Sequence, residues 1–563
     1  MSFVFLQYGY KYHFYFCEQN YLFLFSGDYA SATLAKTGGL CAYLGAFLAQ
    51  FFIYPYAGAG ITAALLTAVG ILTGRLIKTV SPDNRSFFLS LLPPAALLFV
   101  HFDFNYRLQG TVAYLLALAA LWGYTRIRKP GHRLMAGVLL VAVLYIAAGP
   151  VTFLFAVTAV LWERMQPGRF SFTVFILPLL AAILACGTVY FAFAGEFRYV
   201  FLPDAYYQAK LQPGAILYLS WALLPCILVA AFYTGRKKIS SKGRYAWYGV
   251  QLLLLGALLY RGIPNYSDRK SMKMKELDYY ARTGQWDSLE RACRGRQTNY
   301  LYLNYLNLAL SSREKLASEA FAFDQKGPLG LQVNWNKTAH VSTLLSDIYW
   351  SVGAVALSQE MAFEGFVGQP NPRLLKRLVQ TNLIYRYYAV AEKYIALLEK
   401  TVYYREWAAA QRAFLYNDAA LEADSLLGGK RRCLPEVNSL ALSDGIDTEL
   451  RQIAESNPQH RATIQFLGLV HLTGKDLETF RTLVEKYYGT RVLPALPVSF
   501  QEAVIVYAEN DPAYWARYGV SDATVRRYRA YKKLLLQNRG RGDVRAVMAQ
   551  PFGNTFWYYL MFK

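Results

Sequence analysis

Acidic side chains in the first half of the chain are the residues best suited to carry chemistry. The first 262 residues contain only 7 carboxylates, and Glu18, Asp28 and Asp103 lie beside or between long apolar stretches. A carboxylate in such a loop can take a proton from a hydroxyl group as a general base, and carboxylate oxygens also bind hard divalent cations. Glu18, Asp28 and Asp103 are therefore candidate catalytic residues, with a divalent cation as a conditional cofactor. The alternative is that they are solvated or ion-paired loop charges.

No other residue pattern in the sequence indicates a reaction. Walker A, HExxH and GxSxG motifs are absent. The six cysteines include no CxxC pair of the kind that binds zinc. Cys293 and Cys433 both fall in the second half, and the sequence leaves open whether they form a disulfide. We expect no cofactor unless the acidic residues are catalytic, and the sequence leaves it uncertain whether the protein is an enzyme.

The positive charge of the chain does not indicate nucleic-acid binding, although the formal net charge is +22. In the first 262 residues 20 basic side chains outnumber 7 acidic ones, and many lie in short loops between apolar segments. Cytoplasmic loops of membrane proteins carry such an excess of Lys and Arg, and no zinc-finger spacing or RNA-recognition motif accompanies it. We predict the lipid bilayer, and no nucleic acid, as a partner.

Residues 1–262 are predicted to form a transmembrane domain of about eight crossings. A span needs roughly 20 apolar residues, with a range of about 17–25. Met1–Phe16 is apolar but short, and we expect it to be the tail of a truncated first span. The apolar runs are Tyr56–Gly74, Phe87–His101, Gln109–Thr125, Leu134–Ala148, Val151–Trp162, Phe170–Ala194, Gly214–Thr234 and Tyr245–Tyr260.

Basic loops predict the orientation of these spans. Residues 75–85, 126–133, 164–169 and 236–244 are rich in Lys and Arg and are expected on the cytoplasmic side. Since basic loops flank Leu134–Trp162 on both sides, we predict that this segment is a hairpin bent at Gly149-Pro150. The acidic loop residues and the C-terminal half then lie outside the cytoplasm.

Residues 263–563 are predicted to form a soluble, all-α domain. Asn371-Pro372 is typical of a helix N-cap followed by proline at the first helical position, and apolar residues then recur at helical spacing. Ala281–Leu289 and Leu472–Leu477 each resemble the turn of a tetratricopeptide repeat. The fold class is thus a polytopic helical bundle followed by an α-solenoid-like array. A compact helical domain without a groove is equally consistent with the pattern.

Several stretches along the chain resemble a family of uncharacterised Bacteroidales membrane proteins that is known only as a domain of unknown function. This resemblance implies a protein of the bacterial inner membrane with its C-terminal half in the periplasm, and it implies no activity. The similar stretches are Cys17–Asn20, Gly27–Tyr29, Asn307–Leu310, Ala362–Phe366, Arg377–Leu383, Leu397–Thr401 and Phe552–Trp557.

Two functions follow as hypotheses. The first is a scaffold whose periplasmic helical domain binds a protein or peptide partner in envelope assembly or transport, because helical arrays present extended binding surfaces. The second is a membrane glycosyltransferase for a lipid-linked glycan, because such enzymes place an acidic residue in the first outer loop, where Glu18 and Asp28 lie. A transporter ranks lowest, since the spans contain almost no ionisable residues for coupling.

Overall fold

The computed structural model describes residues 2–167, 170–192, 196–209, 211–236, 240–267, 269–435, 445–540 and 542–563. Every regular element within these ranges is helical, in agreement with the all-α prediction. The chain divides into two compact units, unit 1 at Met1–Met272 and unit 2 at Lys273–Lys563. Parts of two predicted basic loops (168–169 and 237–239) and the end of one predicted apolar run (193–194) lie outside the described residues.

The helices of the first unit are α1 (Ser2–Gly9), α2 (Lys11–Glu18), α3 (Gly27–Leu34), α4 (Gly39–Ala49), α5 (Ala57–Val80), α6 (Leu92–Val100), α7 (Gln109–Arg126), α8 (Pro130–Ala148), α9 (Val151–Met165), α10 (Ile176–Ala192), α11 (Arg198–Phe201), α12 (Ala215–Arg236) and α13 (Ser241–Tyr266). Short 3-10 helices span Asn84–Leu91 and Pro203–Tyr206.

Five helical stretches in the described part of unit 1 are long and apolar enough to cross a membrane. The three other predicted crossings are also helical, but α6, α7 and α9 are shorter or less apolar. The number of eight crossings therefore stays a prediction. The five stretches are Ala57–Val80, Pro130–Ala148, Phe172–Phe191, Ala215–Arg236 and Lys242–Tyr266.

Helix α7 has a reason to be less apolar than its neighbours. It contacts α4, α5, α8 and α9, and Tyr114, Leu118 and Tyr124 on it are buried. Polar groups that would be costly against lipid are tolerated where a helix faces other helices. Hydropathy alone therefore undervalues a helix that is enclosed by the bundle.

The predicted hairpin at Gly149-Pro150 is confirmed. Gly149 has a φ of +78°, a left-handed conformation that glycine adopts without steric cost, and it separates α8 from α9. The Arg133 guanidinium forms two parallel bonds to the Glu163 carboxylate, with N–O distances of 2.5 and 2.8 Å. Because Arg133 begins α8 and Glu163 ends α9, the two helices must run antiparallel.

The N-terminal stretch differs from the continuous span tail that the sequence suggests. It forms α1 and α2, which are separated at Tyr10 and have 8 residues each, so each helix covers about 12 Å. Both contact α5. Phe14 packs against Gly58 so closely that a Cβ at Gly58 would lie 2.4 Å from its ring. The described stretch is therefore two short helices that pack on α5 through aromatic side chains, and a truncated first span stays a prediction.

From Arg269 onward the helices are α14 (Arg269–Arg282), α15 (Trp286–Ala292), α16 (Tyr300–Ser312), α17 (Leu316–Glu319), α18 (Ala339–Ser351), α19 (Val355–Gly368), α20 (Pro372–Ile384), α21 (Tyr388–Leu398), α22 (Arg405–Gln411), α23 (Asp418–Ala423), α24 (Leu427–Arg431), α25 (Gly445–Ser456), α26 (Arg461–Thr473), α27 (Leu477–Tyr487), α28 (Val498–Tyr507), α29 (Pro512–Arg517), α30 (Asp522–Gln537), α31 (Val544–Phe552) and α32 (Phe556–Phe562).

Unit 2 repeats one kind of turn between paired helices. A residue with positive φ lies just after the first helix. The N–H of the residue that follows it donates to the carbonyl five residues earlier in the chain, which is the Schellman arrangement. Both predicted repeat centres, 281–289 and 472–477, contain such a turn. The solenoid-like stacking of the pairs stays a prediction. The turn residues are Gly284, Glu314, Gly353, Arg386, Lys475 and Gly519.

Candidate functional site

Two predicted outer loops of unit 1 meet through their backbones. The Arg107 N–H donates to the Tyr206 carbonyl at 2.9 Å, and the Gln208 N–H donates to the Asn105 carbonyl at 3.0 Å. Tyr106 and Tyr207 form an antiparallel bridge between them. The loop after α6 and the loop before α12 are therefore held as one surface.

Asp103 lies on this surface, and both of its carboxylate oxygens accept hydrogen bonds. One oxygen accepts the Asn105 backbone and side-chain N–H groups at 2.9 and 3.0 Å, and the other accepts the Tyr207 hydroxyl. Asp103, Asn105 and Tyr207 border a cavity of about 270 Å³ whose other walls include Phe102, Ile216 and Tyr266. Asp103 is therefore held in a fixed position beside a partly open, mostly apolar space.

The structure brings Glu18 near this loop but not Asp28. Glu18 ends α2 and is only 2% exposed, and two residues later the Asn20 amide donates to the Phe104 carbonyl at 2.9 Å. Asp28 is exposed in the first turn of α3 and does not line the cavity. Of the three predicted catalytic residues, Asp103 lines this cavity, and Glu18 and Asp28 do not.

Two further acidic loop residues have structural partners. The Tyr218 hydroxyl lies 3.0 and 2.9 Å from the two oxygens of buried Asp204, and Glu196 forms a 2.5 Å ion pair with Arg198. Within the described residues no group of three His, Cys, Asp or Glu side chains is placed to hold a metal ion.

Unit 2 contains a cluster of basic and aromatic residues that was not predicted from the sequence. Arg373 and Arg377 on α20 share the Asp347 carboxylate, and Arg373 also contacts Asp278 on α14 at 2.8 Å. The Arg377 guanidinium lies 3.9 Å from the centre of the Trp350 ring. These contacts join α14, α18 and α20 through charges that are largely shielded from solvent.

Lys376 is the member of this cluster whose charge is not compensated. Its ammonium group lies 4.5 Å from the centre of the Trp407 ring, and in the described part of unit 2 it forms no ion pair with a carboxylate. Burial, and after it the nearby charges of Arg282, Arg377 and Arg373, together lower the pKa of Lys376 to about 8. We call Arg282, Arg373, Lys376 and Arg377, with Trp350 and Trp407, the cationic cluster.

Lys430 also lies near Trp350 and adds a further cation to this region. Its ammonium group lies 3.1 Å from Nε2 of His460 and 5.8 Å from the Trp350 ring centre. Burial lowers the pKa of Lys430 to about 8 and that of His460 to about 3. His460 is therefore neutral at pH 7, and its Nε2 can accept a hydrogen bond from the Lys430 ammonium group.

Part of this site had a visible signal in the sequence. Lys376 and Arg377 follow Arg373 by three and four residues, which is the spacing of one helix face. Arg282, Trp350 and Trp407 come from distant segments, so no local pattern could place them beside that face.

Cys293 and Cys433 do not form a disulfide. Both are buried free thiols, and burial raises their pKa values, that of Cys293 to about 12. Cys293 contacts the Tyr302 carbonyl and Cys433 contacts the Asn457 amide. Both thiols therefore act as packing residues.

The fold defines an all-helical protein with several helices that are long and apolar enough to cross a membrane. The chain belongs to DUF6057, a family of unknown function that matches residues 1–563. No curated protein and no solved structure matches the chain.

Proposed function

We propose that this protein is an inner-membrane scaffold whose periplasmic unit 2 binds an acidic segment of a partner in envelope assembly or transport. The carrying observation is Lys376, a half-buried cation surrounded by three arginines and by no paired carboxylate. The cluster holds four cations, and in the described part of unit 2 the carboxylates of Asp278 and Asp347 pair with Arg373 and Arg377 rather than with Lys376. An approaching anion would relieve this repulsion, because an opposite charge nearby favours the charged form of an amine.

The aromatic rings favour a protein segment as the occupant. Trp350 and Trp407 already hold cations against their faces, so the surface combines apolar area with fixed positive charge. An acidic peptide supplies carboxylates for the cations and side chains for the rings. Charges at such a surface contribute to orientation and association rate as well as to affinity.

Photo-crosslinking in cells tests this function. A photoreactive phenylalanine at Tyr403 should capture a specific partner, because this side chain is half exposed and its ring meets that of Tyr404, a partner of Arg282, edge to face. Lys376→Met keeps the apolar stem over Trp407 but removes the charge, and we expect it to abolish the adduct. Lys376→Arg should retain it, and Lys393→Ala, at an exposed lysine of the same unit, is the control. Unchanged capture by Lys376→Met would contradict the proposal.

A second candidate function is a membrane glycosyltransferase that uses a lipid-linked sugar donor, with Asp103 as the catalytic base or cation ligand. The observation in its favour is the cavity of about 270 Å³ beside the fixed Asp103 carboxylate. A cell deleted for the protein and complemented with Asp103→Asn should then lose one glycan at normal protein levels. Tyr207→Phe, which removes only the positioning bond to Asp103, should reduce that glycan less. Unchanged glycans in the deletion itself would exclude this function.

A further inference from the structure

A long groove runs along one side of unit 1. It has a volume of about 560 Å³ and is formed by α5, the 3-10 helix Asn84–Leu91, α6 and α13. Its lining runs along α5 from Leu66 to Lys78, which corresponds to about 18 Å at the helical rise. One leaflet of the hydrocarbon core is about 15 Å thick, so the groove matches the depth of a leaflet.

The interior of the groove offers few hydrogen bonds to a ligand. The Thr67 hydroxyl donates to the Ala63 carbonyl at 2.7 Å, and the Ser90 hydroxyl donates to the Phe87 carbonyl at 2.6 Å. The Ser86 hydroxyl lies 3.3 Å from that of Thr234. Since these lining hydroxyls are already bonded within the protein, a sugar or peptide would lose its own hydrogen bonds here. An acyl chain has no hydrogen-bonding groups and would therefore lose no hydrogen bonds.

Two glycines keep the groove open. A Cβ on Gly70 would lie 3.6 Å from Cγ of Pro94, and a Cβ on Gly74 would lie 3.6 Å from Cβ of Ser90. Both are ordinary van der Waals distances, so neither position is closed off by neighbouring backbone. A large side chain at either position would extend into the groove.

Positive charge lies at one end of the groove only. Arg75 and Lys78 are exposed there, with the Arg75 guanidinium 5.1 Å from the centre of the Trp122 ring. Asp83, the acidic residue in the lining, is bonded to Arg85 and Ser81. In the described part of unit 1 no carboxylate forms an ion pair with Arg75 or Lys78.

We infer that this groove binds a phospholipid with a net negative headgroup, whose phosphate contacts Arg75 and Lys78 and whose acyl chains lie along α5 and α13. An apolar groove of leaflet depth with cations at one end complements such a lipid in both charge and shape. The site goes beyond the proposed scaffold function and does not depend on it. It requires only that α5 and α13 cross the bilayer.

Photolabelling of the full-length protein in nanodiscs tests this site. The nanodiscs contain phosphatidylcholine with a minor fraction of phosphatidylglycerol that carries a photoreactive acyl chain. Adducts are expected at residues 66–98 and 255–259, above the level at the exposed Leu179 and Ile183 of α10. Because each basic residue contributes measurably to binding an anionic lipid, Arg75→Ala with Lys78→Ala should lower the yield by about thirtyfold. Arg128→Ala with Lys129→Ala, at exposed cations outside the groove, should not lower it.

A second variant tests the groove itself. Gly74→Leu should abolish groove adducts, while Gly123→Leu, where a Cβ meets nothing within 4 Å, should leave them unchanged at the same melting temperature. Equal labelling by a photoreactive phosphatidylcholine, or no effect of the Arg75 and Lys78 substitutions, would overturn the inference. Displacement of the label by inorganic phosphate would assign the cations to free phosphate and overturn the lipid site.

Discussion

Lys376 shows how one side chain takes its chemical character from distant parts of the chain. Its helix supplies Arg373 and Arg377, but Arg282 comes from α14 and Trp407 from α22. The sequence indicates a basic helix face, which by itself is typical of a solvated surface. In the folded protein this face is partly buried against Trp407 and lies near three guanidinium groups, so it becomes a candidate binding site.

The amine of Lys376 should react at a lower pH than an ordinary lysine. With a pKa of about 8, about half of it is deprotonated at that pH, whereas a lysine in water has a pKa of about 10.4. Competitive acylation read by mass spectrometry should therefore label Lys376 well before Lys486, whose bond to Glu455 raises its pKa. Arg282→Gln removes one nearby cation and should move the labelling of Lys376 to higher pH. Equal titration of Lys376 and Lys486 would contradict the cluster.

Glu502 should make the stability of unit 2 depend on pH. It is 2% exposed and accepts the Phe556 N–H at 2.7 Å, and burial raises its pKa to about 7. Because the folded protein prefers the protonated acid, the stability that this group provides is present below pH 4.5, its ordinary value, and is lost as pH rises through about 7. Glu502→Gln cannot ionise, so it should exceed the wild type at pH 8 by up to roughly 3 kcal/mol.

Thermal unfolding of the full chain in detergent at pH 4.5 and pH 8 measures this difference. The control is Glu509→Gln, because the bond to Lys532 lowers the pKa of Glu509. That variant should lose a little stability at pH 8 and none at low pH. A Glu502→Gln variant whose advantage does not grow with pH would show that the Glu502 carboxylate is ionised in the fold.

Among the predicted catalytic residues, the sequence predicted that the loop of Asp103 shares a side with the loop before α12, as the structure has it, but not the partners of Asp103. Apolar runs and basic loops predicted that the loops after α6 and before α12 share one side. The bonds from Asn105 and Tyr207 to Asp103 depend on how these loops pack, which hydropathy does not encode. The same holds for Glu18, whose burial in α2 was not expected for a loop carboxylate.

At the scale of elements, the hairpin of α8 and α9 was predictable because charge and geometry agree. Basic residues on both sides of Leu134–Trp162 required the segment to return, and Gly149 provides the conformation for the turn. The Glu163 carboxylate that joins the helix ends could not be inferred from the sequence. Its partners Arg133 and Tyr124 lie on other helices.

Breaking the Arg133–Glu163 pair should destabilise unit 1 strongly. The two side chains are 11% and 18% exposed, and Glu163→Ala leaves a shielded guanidinium without its bidentate partner, which costs roughly 3 kcal/mol. Glu196→Ala removes the partner of Arg198 in a pair that is 26% and 56% exposed, so its cost should stay below about 1 kcal/mol. Melting temperatures in detergent compare the two. Equal shifts would show that the hairpin does not depend on this pair.

At the scale of the whole molecule, the all-α fold was predictable and the number of crossings was not. Long charge-free runs predicted α5, α8, α10, α12 and α13 well, and these helices are long and apolar enough to cross a membrane. α6, α7 and α9 fall short of the same length and hydropathy. In unit 2, recurring proline and glycine signals predicted helix starts and turns, but the packing order of the pairs depends on contacts between distant segments.

The topology of the two units is the claim on which the scaffold proposal depends most directly. In a cysteine-free background, Ser312→Cys places a thiol on the exposed end of α16, and Lys129→Cys places one in an exposed basic loop. A membrane-impermeant maleimide should modify Ser312→Cys in cells with an intact inner membrane and Lys129→Cys only after lysis. Modification of Lys129→Cys in intact cells, with Ser312→Cys protected until lysis, would contradict it.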